Sequence, residues 1–239
     1  MRDRFILLPG WGLGISPLEP LAVALRGLDA RLRVEIEPLP VLASAQLDDW
    51  LDELDAALPD DVWLGGWSLG GMLASELAVR RGERCCGLVT LASNPCFVSR
   101  DDWPNAMPCD TFEDFIDGFR KAPNTTLKRF SLLCSEGRGM ASLLLNGAPK
   151  AEPDTLLAGL ELLAKMDTRA ALQHFNGPQF HVFAGQDELV PASVASDVLA
   201  LLPDVEVGLM EQACHAFLLQ APHELAAAIQ SFLTGLGDD

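Results

Sequence analysis

One serine of this chain lies in a setting suited to attack on a carbonyl carbon. Ser68 is the middle residue of Gly66-Trp67-Ser68-Leu69-Gly70, between an apolar strand pattern and a helical pattern that begins at Leu69. A serine nucleophile projects from a tight strand-to-helix turn, where the neighbours two residues away on either side come close to it. Gly66 and Gly70 leave that space. We therefore predict that Ser68 is a nucleophile, the alternative being a turn that only the fold requires.

An acid and a histidine that could activate Ser68 follow it in the chain. In folds with such a turn, the acid comes after a late strand and the histidine after the last strand. Asp187 follows a buried strand pattern in a loop, and His215 follows an alternating strand pattern in the next loop of this kind. We predict that Asp187 is the acid and His215 the base, with Glu188 as the alternative acid.

The three other histidines fit the role of base less well. His181 lies inside a strand pattern, which is typical of a core side chain, and His174 lies in a polar segment before that strand. His223 is in the first turn of the last helical pattern. None of them has metal-ligand spacing with a cysteine or another histidine, so we expect no metal site.

The loop after the first strand pattern could bind the oxygen of an attacked carbonyl group. Pro9–Gly14 is rich in glycine, which lets main chain approach a ligand closely. We expect the backbone N–H of Trp11 to pair with that of Leu69 as donors to an oxyanion. The alternative is a glycine-rich turn with a packed tryptophan. The glycine spacing does not match the dinucleotide-binding pattern, and we expect no cofactor.

Strand patterns alternate with helical patterns over most of the chain, which predicts a mostly parallel sheet covered by helices on both faces. The predicted strands are Phe5–Leu8, Val34–Leu39, Val62–Trp67, Leu88–Ala92, Phe180–Ala184 and Val205–Leu209.

The alternation is interrupted between residues 99 and 167, where only amphipathic helical segments occur. They are Thr111–Lys121, Thr126–Ser135, Met140–Leu145 and Pro153–Met166. We predict that residues 99–167 form an inserted helical cap, and that residues 1–98 and 168–239 form the α/β core. The inner face of a cap above Ser68 should determine the choice of substrate.

Composition restricts the class of protein. The chain has 239 residues, of which 49% are hydrophobic, and this suits one domain with an insertion. The net charge of −17 argues against nucleic acid and anionic membranes as partners. No apolar run is long enough to cross a membrane, and no signal peptide precedes the first strand, so we expect a cytoplasmic location. The six cysteines show no paired framework and are expected to be thiols.

Basic side chains cluster in the cap of this acidic chain. They are Arg120, Lys121, Lys128, Arg129 and Arg138. Such a cluster could dock an acidic carrier protein. A solvated helix face with intrahelical ion pairs explains the same charges equally well, and the sequence leaves both interpretations open.

Several runs together resemble one known family over nearly the whole chain. They are Pro9-Gly10-Trp11-Gly12-Leu13, Gly66-Trp67-Ser68-Leu69-Gly70-Gly71, Leu91-Ala92-Ser93-Asn94-Pro95-Cys96-Phe97, Arg100-Asp101-Asp102-Trp103-Pro104, Gly159-Leu160-Glu161-Leu162-Leu163 and Leu189-Val190-Pro191. The chain resembles the pimeloyl-(acyl-carrier protein) methyl ester esterases of biotin synthesis, which have the α/β-hydrolase fold.

The resemblance implies a serine carboxylesterase that hydrolyses the methyl ester of pimeloyl-(acyl-carrier protein) through an acyl-enzyme on Ser68. It implies that Trp11 and Leu69 flank the ester and that the basic residues near Arg129 hold the acidic helix of the carrier protein. The residues implied to contact the acyl chain are Phe130, Ser131, Leu132, Leu133 and Cys134. We expect a monomer.

Two other functions remain open from the sequence. One is a carboxylesterase or thioesterase that uses the same three residues on a different acyl substrate. The other is a non-catalytic binding module with a hydrolase fold, a class that usually lacks one of the three residues.

Overall fold

Six parallel strands form the central sheet of the computed structural model, which describes residues 3–136, 139–146 and 152–235. They are β1 (Arg4–Leu8), β2 (Arg33–Ile36), β3 (Val62–Trp67), β4 (Cys85–Leu91), β5 (Gln179–Ala184) and β6 (Glu206–Met210). Their order across the sheet is β2-β1-β3-β4-β5-β6, and every neighbouring pair is parallel. Strands β3 and β5 are buried along their whole length, as expected where helices cover both faces of a sheet.

Helices cover the sheet on both sides and fill the interval between β4 and β5. They are α1 (Glu19–Leu28), α2 (Leu47–Ala57), α3 (Leu69–Arg81), α4 (Cys109–Lys121), α5 (Pro123–Ser135), α6 (Ala141–Asn146), α7 (Pro153–Lys165), α8 (Arg169–His174), α9 (Val194–Leu201), α10 (Phe217–Gln220) and α11 (Pro222–Gly235). Within the described ranges, none of these helices combines the length and the apolar character needed to span a membrane.

The predicted α/β class and all six predicted strands are confirmed, although some boundaries differ. The second strand ends at Ile36 rather than at residue 39, since the last residue pair between it and β1 is Leu7 with Ile36. The fourth strand begins at Cys85 rather than Leu88, since Cys85 pairs with Val62 before a register shift. Gly87 lies within this strand and packs against the ring of Trp63.

Helices α4 to α7 occupy the segment for which the sequence predicts a cap, residues 99–167. In the described part of this segment the only β-pairing consists of isolated bridges, one between Val98 and Met107 and one between Arg100 and Trp103. Helix α4 is amphipathic because Phe112, Ile116 and Phe119 recur at helical spacing and are buried. The division into core and cap stays a prediction, and "cap" denotes residues 99–167 below.

Two arginines hold the two ends of the cap together. Arg100, near its start, donates a hydrogen bond of 2.9 Å to the carbonyl oxygen of Lys165 near its end. Arg169, just beyond its end, donates one of 2.9 Å to Asp102 and lies over the ring of Trp103. The Arg-Asp-Asp-Trp-Pro run therefore lies where the cap joins the rest of the chain. Its charge-assisted bonds connect the first residues of the cap to the residues at its end.

The carboxyl ends of the six strands meet at one edge of the sheet, since all are parallel. The loops after β1, β3, β5 and β6 carry Trp11, Ser68, Asp187 and His215. In open α/β sheets this edge is where ligands bind.

Candidate active site

Ser68 lies in a strained turn between β3 and α3. Its φ of 55° and ψ of −120° belong to a region that side-chain-bearing residues rarely adopt. A Cβ atom on Gly66 would lie 2.2 Å from the main chain of Gly70, and one on Gly70 would lie 2.4 Å from the carbonyl oxygen of Leu8. Both glycines are therefore sterically required, for the close approach that the sequence predicts. Residues 66–70 are called the elbow below.

The main chain of Ser68 is bonded on both sides to the end of β4. Its N–H donates to the carbonyl oxygen of Leu91 at 2.9 Å, and its own carbonyl oxygen accepts from the hydroxyl of Ser93 at 2.9 Å. Gly71 packs directly on Ser93, because a Cβ at Gly71 would lie 2.6 Å from that of Ser93. Ser93 belongs to one of the runs that carry the family resemblance, but the sequence alone indicates no role for it. Its position directly after a strand beside β3 is the signal that could have indicated this contact.

Asp187 and His215 form a buried hydrogen-bonded pair. His215 Nδ1 lies 2.7 Å from Asp187 Oδ2, and neither side chain has exposed surface. The other carboxylate oxygen accepts from the backbone N–H groups of Leu189 and Val190, at 2.8 and 3.0 Å. An ionised carboxylate only accepts hydrogen bonds, so Nδ1 carries the proton and Nε2 presents a lone pair. Glu188, the alternative acid, is exposed.

His215 lies beside the elbow with its second nitrogen unbonded. Its backbone carbonyl accepts a hydrogen bond of 3.0 Å from Trp67 Nε1, and the two rings are 5.3 Å apart. His215 Nε2 is buried and has no hydrogen-bond partner within the described residues, so it makes no hydrogen bond to Ser68 in this structure. A buried imidazole nitrogen without a partner in the described residues therefore lies next to the turn that carries Ser68.

The loops that carry Asp187 and His215 contact each other through main chain. Gly185 N–H donates to the carbonyl oxygen of Met210, and Gln186 N–H donates to that of Ala213, both at 2.9 Å. A Cβ on Gly185 would lie 2.3 Å from the carbonyl oxygen of Glu211, so only glycine allows this approach. These contacts fix the distance between the two loops independently of the Asp187–His215 pair.

The remaining histidines lie away from this pair. His181 is buried in β5, with Nδ1 2.6 Å from the hydroxyl of Thr90 and Nε2 3.3 Å from Oε1 of Gln179. Burial lowers the pKa of His181 to about 4. His174 and His223 are exposed. Among the described residues, no group of three or more His, Cys, Asp or Glu is placed to hold a metal ion.

Ser68 lines a cavity of about 220 Å³ between the elbow and the cap. Most of the other lining side chains in the described part of the chain are apolar, and six of these apolar side chains come from α4, α5 and α7. These six are Phe112, Phe115, Phe130, Leu133, Leu160 and Leu163. Polar side chains of Thr111, Asp114 and Arg129 also reach the cavity. The sequence predicts that the inner face of the cap meets the substrate, but of these residues only Phe130, Leu133 and Arg129 were expected to contact the acyl chain or the carrier.

The five consecutive residues expected to contact the acyl chain divide between different faces of α5. Phe130 and Leu133 line the cavity, whereas Ser131 bonds to a carbonyl oxygen of its own helix. Leu132 is 54% exposed and does not line the cavity, and its contact with the acyl chain stays a prediction. Cys134 is fully buried outside the cavity lining, and its carbonyl oxygen accepts from the loop of His215. The physical reason is helical periodicity, because only residues three or four apart share a face.

The two expected oxyanion donors lie in adjacent main-chain segments. Leu69 begins α3, and the carbonyl oxygens of Leu8 and Pro9 pack on Gly70 one residue later. In the described ranges, the backbone N–H groups of Trp11 and Leu69 donate no hydrogen bond to the protein. A free N–H at the first turn of a helix, next to its positive dipole end, suits an oxyanion. Residues 9–14 are called the oxyanion loop below.

The basic residues of the cap are not equivalent. Arg120 is bonded to Asp117 on its own helix and to Glu161 on α7, both at 3.3 Å, so intramolecular pairing accounts for its charge. Lys121, Lys128 and Arg129 are exposed, and Arg129 also reaches the cavity.

Arg138, the fifth predicted docking residue, lies outside the described residues.

Comparison with known proteins gives one consistent result. A model described as "Alpha/beta hydrolase family" matches residues 5–228. The pimeloyl-(acyl-carrier protein) methyl ester esterase of Aromatoleum aromaticum is 36% identical over 98% of this chain and 99% of its own length. The esterase of the same name from Serratia marcescens is 32% identical over 97% and 94%. The biotin biosynthesis bifunctional protein BioHC of Cellvibrio japonicus is 33% identical over 97% of this chain and 47% of that protein.

Solved structures of similar fold are more distant in sequence. An esterase from Exiguobacterium antarcticum superposes with a TM-score of 0.83 at 16% identity, covering 97% of this chain and 92% of that one. A bromoperoxidase from Bacillus anthracis superposes with a TM-score of 0.82 at 20% identity, covering 98% and 92%. At such identities the likeness establishes the fold, and the predicted α/β-hydrolase fold is confirmed.

Proposed function

The chain belongs to the α/β-hydrolase family and, within it, to the pimeloyl-(acyl-carrier protein) methyl ester esterases, and on that premise we propose that it hydrolyses the methyl ester of pimeloyl-(acyl-carrier protein). It is a carboxylic ester hydrolase, and the products of the proposed reaction in biotin synthesis are methanol and the free carboxylate on the carrier protein. The observation that carries the mechanism is the buried Asp187–His215 pair, which leaves Nε2 of His215 unbonded beside the elbow.

In the first proposed step, Ser68 becomes acylated. His215 Nε2 takes the proton of the Ser68 hydroxyl as Oγ attacks the ester carbonyl carbon, and Asp187 stabilises the imidazolium that forms. The backbone N–H groups of Trp11 and Leu69 donate to the oxyanion. His215 then returns the proton to the methoxy group, the bond between that group and the carbonyl carbon breaks, and methanol leaves.

In the second proposed step, water hydrolyses the acyl-enzyme. His215 Nε2 takes a proton from the water molecule while the oxygen of that water attacks the same carbonyl carbon. The bond to Ser68 breaks, Oγ recovers its proton from His215, and the free carboxylate is released.

Two features of the cap support an acyl chain bound to a carrier protein. The cavity next to Ser68 is lined mostly by phenylalanine and leucine side chains, which suit the methylene groups of a pimeloyl chain. Lys121, Lys128 and Arg129 are exposed on a chain with a net charge of −17, so the cap is a place where an acidic carrier would meet positive charge.

The reaction is tested by comparing wild type with Ser68→Ala on short p-nitrophenyl esters and on the pimeloyl methyl ester. We expect the substitution to abolish turnover while the folded structure is kept. Undiminished hydrolysis by Ser68→Ala would contradict the assignment of the nucleophile.

Carrier recognition is tested by measuring kcat/KM on the carrier-bound ester and on the free methyl ester. Lys128→Glu reverses an exposed charge outside the cavity lining and should lower kcat/KM on the carrier-bound ester about tenfold, leaving the free ester unaffected. Arg33→Glu, an exposed charge reversal on edge strand β2, is the matched control. Equal rates on both substrates, insensitive to Lys128→Glu, would favour an esterase of free short-acyl esters instead.

A further inference from the structure

We infer that the cap holds the oxyanion loop in place through the indole ring of Trp11, so that Gly159 of α7 is a positioning residue for the oxyanion donor. The inference rests on the proposed role of the Trp11 backbone N–H. It concerns the contacts that the side chain of Trp11 makes with the cap.

Three cap helices hold the indole ring. Its Nε1 donates a hydrogen bond of 2.8 Å to the carbonyl oxygen of Leu156 on α7. The rings of Phe115, Phe119 and Phe130 meet it edge to face, with centroids 5.8, 5.5 and 5.1 Å away. Trp11 is 3% exposed. A buried aromatic side chain with its polar group bonded and three edge contacts has one favoured orientation.

Glycine is required where α7 meets the ring. A Cβ atom on Gly159 would lie 2.9 Å from Cδ1 and 3.3 Å from Nε1 of the indole. Leu127, on cap helix α5, packs on the oxyanion loop itself. A Cβ on Gly12, whose φ is +72°, would lie 3.0 Å from the side chain of Leu127. The cap therefore contacts both the side chain of Trp11 and the main chain next to it.

The other side of the loop packs on the elbow. A Cβ on Gly10 would lie 3.0 Å from the ring of Trp67, and one on Gly70 would lie 2.5 Å from the carbonyl oxygen of Pro9. The loop is thus enclosed between the elbow and the cap. Because the indole and the proposed donor N–H belong to the same residue, a displaced indole turns the donor away from the oxyanion position.

The test compares two glycine-to-alanine substitutions in cap helices. Gly159→Ala places a methyl group against the indole, whereas Gly118→Ala on α4 meets only the hydroxyl of Thr126 at an ordinary 3.7 Å. Complete loss of an oxyanion donor lowers kcat by roughly a hundredfold to a thousandfold. For a displaced donor we expect Gly159→Ala to lower kcat on a p-nitrophenyl ester by at least about tenfold with KM almost unchanged. Gly118→Ala should match wild type.

A second readout separates positioning from general loss of structure. Phenylboronic acid forms a tetrahedral adduct with a nucleophilic serine and mimics the oxyanion, so its Kd should rise by the same factor by which kcat falls. Trp11→Phe, which keeps the backbone N–H but removes the bond to Leu156 and shortens the ring that the cap holds, should show the same parallel loss. Unchanged kcat and boronate affinity in both variants would overturn the inference. Absence of esterase activity in wild type would instead contradict the proposed function.

Discussion

Trp67 Nε1 donates a hydrogen bond of 3.0 Å to the backbone carbonyl oxygen of His215, 148 residues further along the chain. Trp67 directly precedes Ser68, and both Trp67 and His215 are buried. The bond therefore joins the loop of the proposed base to the residue next to the proposed nucleophile. It sets the position of His215 at its main chain, while Asp187 sets the orientation of its ring at Nδ1.

Trp67→Phe removes the indole N–H and keeps an aromatic ring in place. The His215 carbonyl is then left buried without this donor, which costs roughly 1–3 kcal/mol. We expect kcat to fall about tenfold with little change in KM, since in the proposed mechanism His215 acts only in the chemical step. Trp63→Phe in the same strand, whose ring packs on Phe232, is the control and should leave kcat unchanged. Equal kcat values in the two variants would contradict this role of Trp67.

Backbone strain at Ser68 gives a second prediction. Glycine adopts a φ of 55° and a ψ of −120° without the steric cost that any side chain has there, a cost of order 1–3 kcal/mol. We expect the free energy of unfolding of Ser68→Gly to be about 1 kcal/mol higher than that of Ser68→Ala. The difference is smaller than the full strain, because glycine also gains conformational entropy in the unfolded chain. Both variants should lack turnover. Urea denaturation decides the order, and a less stable glycine variant would contradict strain at this turn.

Much of the site could be predicted because its signals are local in sequence. The strand, the flanking glycines and the helix around Ser68 are contiguous, and Asp187 and His215 each follow a strand pattern whose end lies at the same edge of the sheet. A parallel sheet brings such loops together whatever their separation in the chain. Their catalytic roles stay predictions.

The contacts that support these residues could not be predicted in the same way. The bond from Trp11 to Leu156 spans 145 residues, and the bond from Ser93 to Ser68 spans 25 residues between neighbouring strands. No local periodicity encodes such pairs. The acyl contacts expected at Phe130–Cys134 came from the family resemblance as one continuous run, whereas the structure distributes this run over different faces of α5.

Glu76 on α3 gives a pH-dependent prediction. Burial, together with the charge of Asp167, raises the pKa of Glu76 from 4.5 to about 7. Asp167 stays ionised, because the hydrogen bond from Arg169 lowers its pKa to about 2. The folded protein therefore binds the Glu76 proton more tightly than the unfolded chain does. This contribution to stability is fully present below pH 4.5 and is lost as the pH rises through 7.

Glu76→Gln keeps the shape of the protonated side chain and cannot ionise. We expect it to be more stable than wild type at pH 8, with a difference that shrinks towards pH 5. Glu83→Gln, at an exposed glutamate just beyond α3, is the control and should show no such trend. A stability difference that is the same at both pH values, measured by chemical denaturation, would contradict a raised pKa at Glu76.

The buried His181 should make the fold sensitive to acid. Gln179 uses its amide N–H groups on the carbonyl oxygens of Leu172 and Phe175, so its oxygen accepts from Nε2–H of His181, and Nδ1 accepts from the hydroxyl of Thr90. Both ring nitrogens therefore have hydrogen-bond partners when the ring is neutral. A proton added at Nδ1 would lie against the Thr90 hydroxyl, and neither partner of the ring carries a negative charge that would stabilise the cation.

The pKa of His181 is about 4 in the folded protein and 6.5 without burial, so the unfolded chain binds the proton more tightly. The contribution of neutral His181 is present above pH 6.5 and is lost as the pH falls through 4, a total of roughly 3 kcal/mol. The imidazole resonances of His181 in folded protein should stay those of the neutral Nε2–H form down to about pH 5. His181→Gln, which can satisfy the same partners without titrating, should lose less stability than wild type between pH 7 and pH 5. Protonation of His181 near pH 6.5 in the folded protein would rule this out.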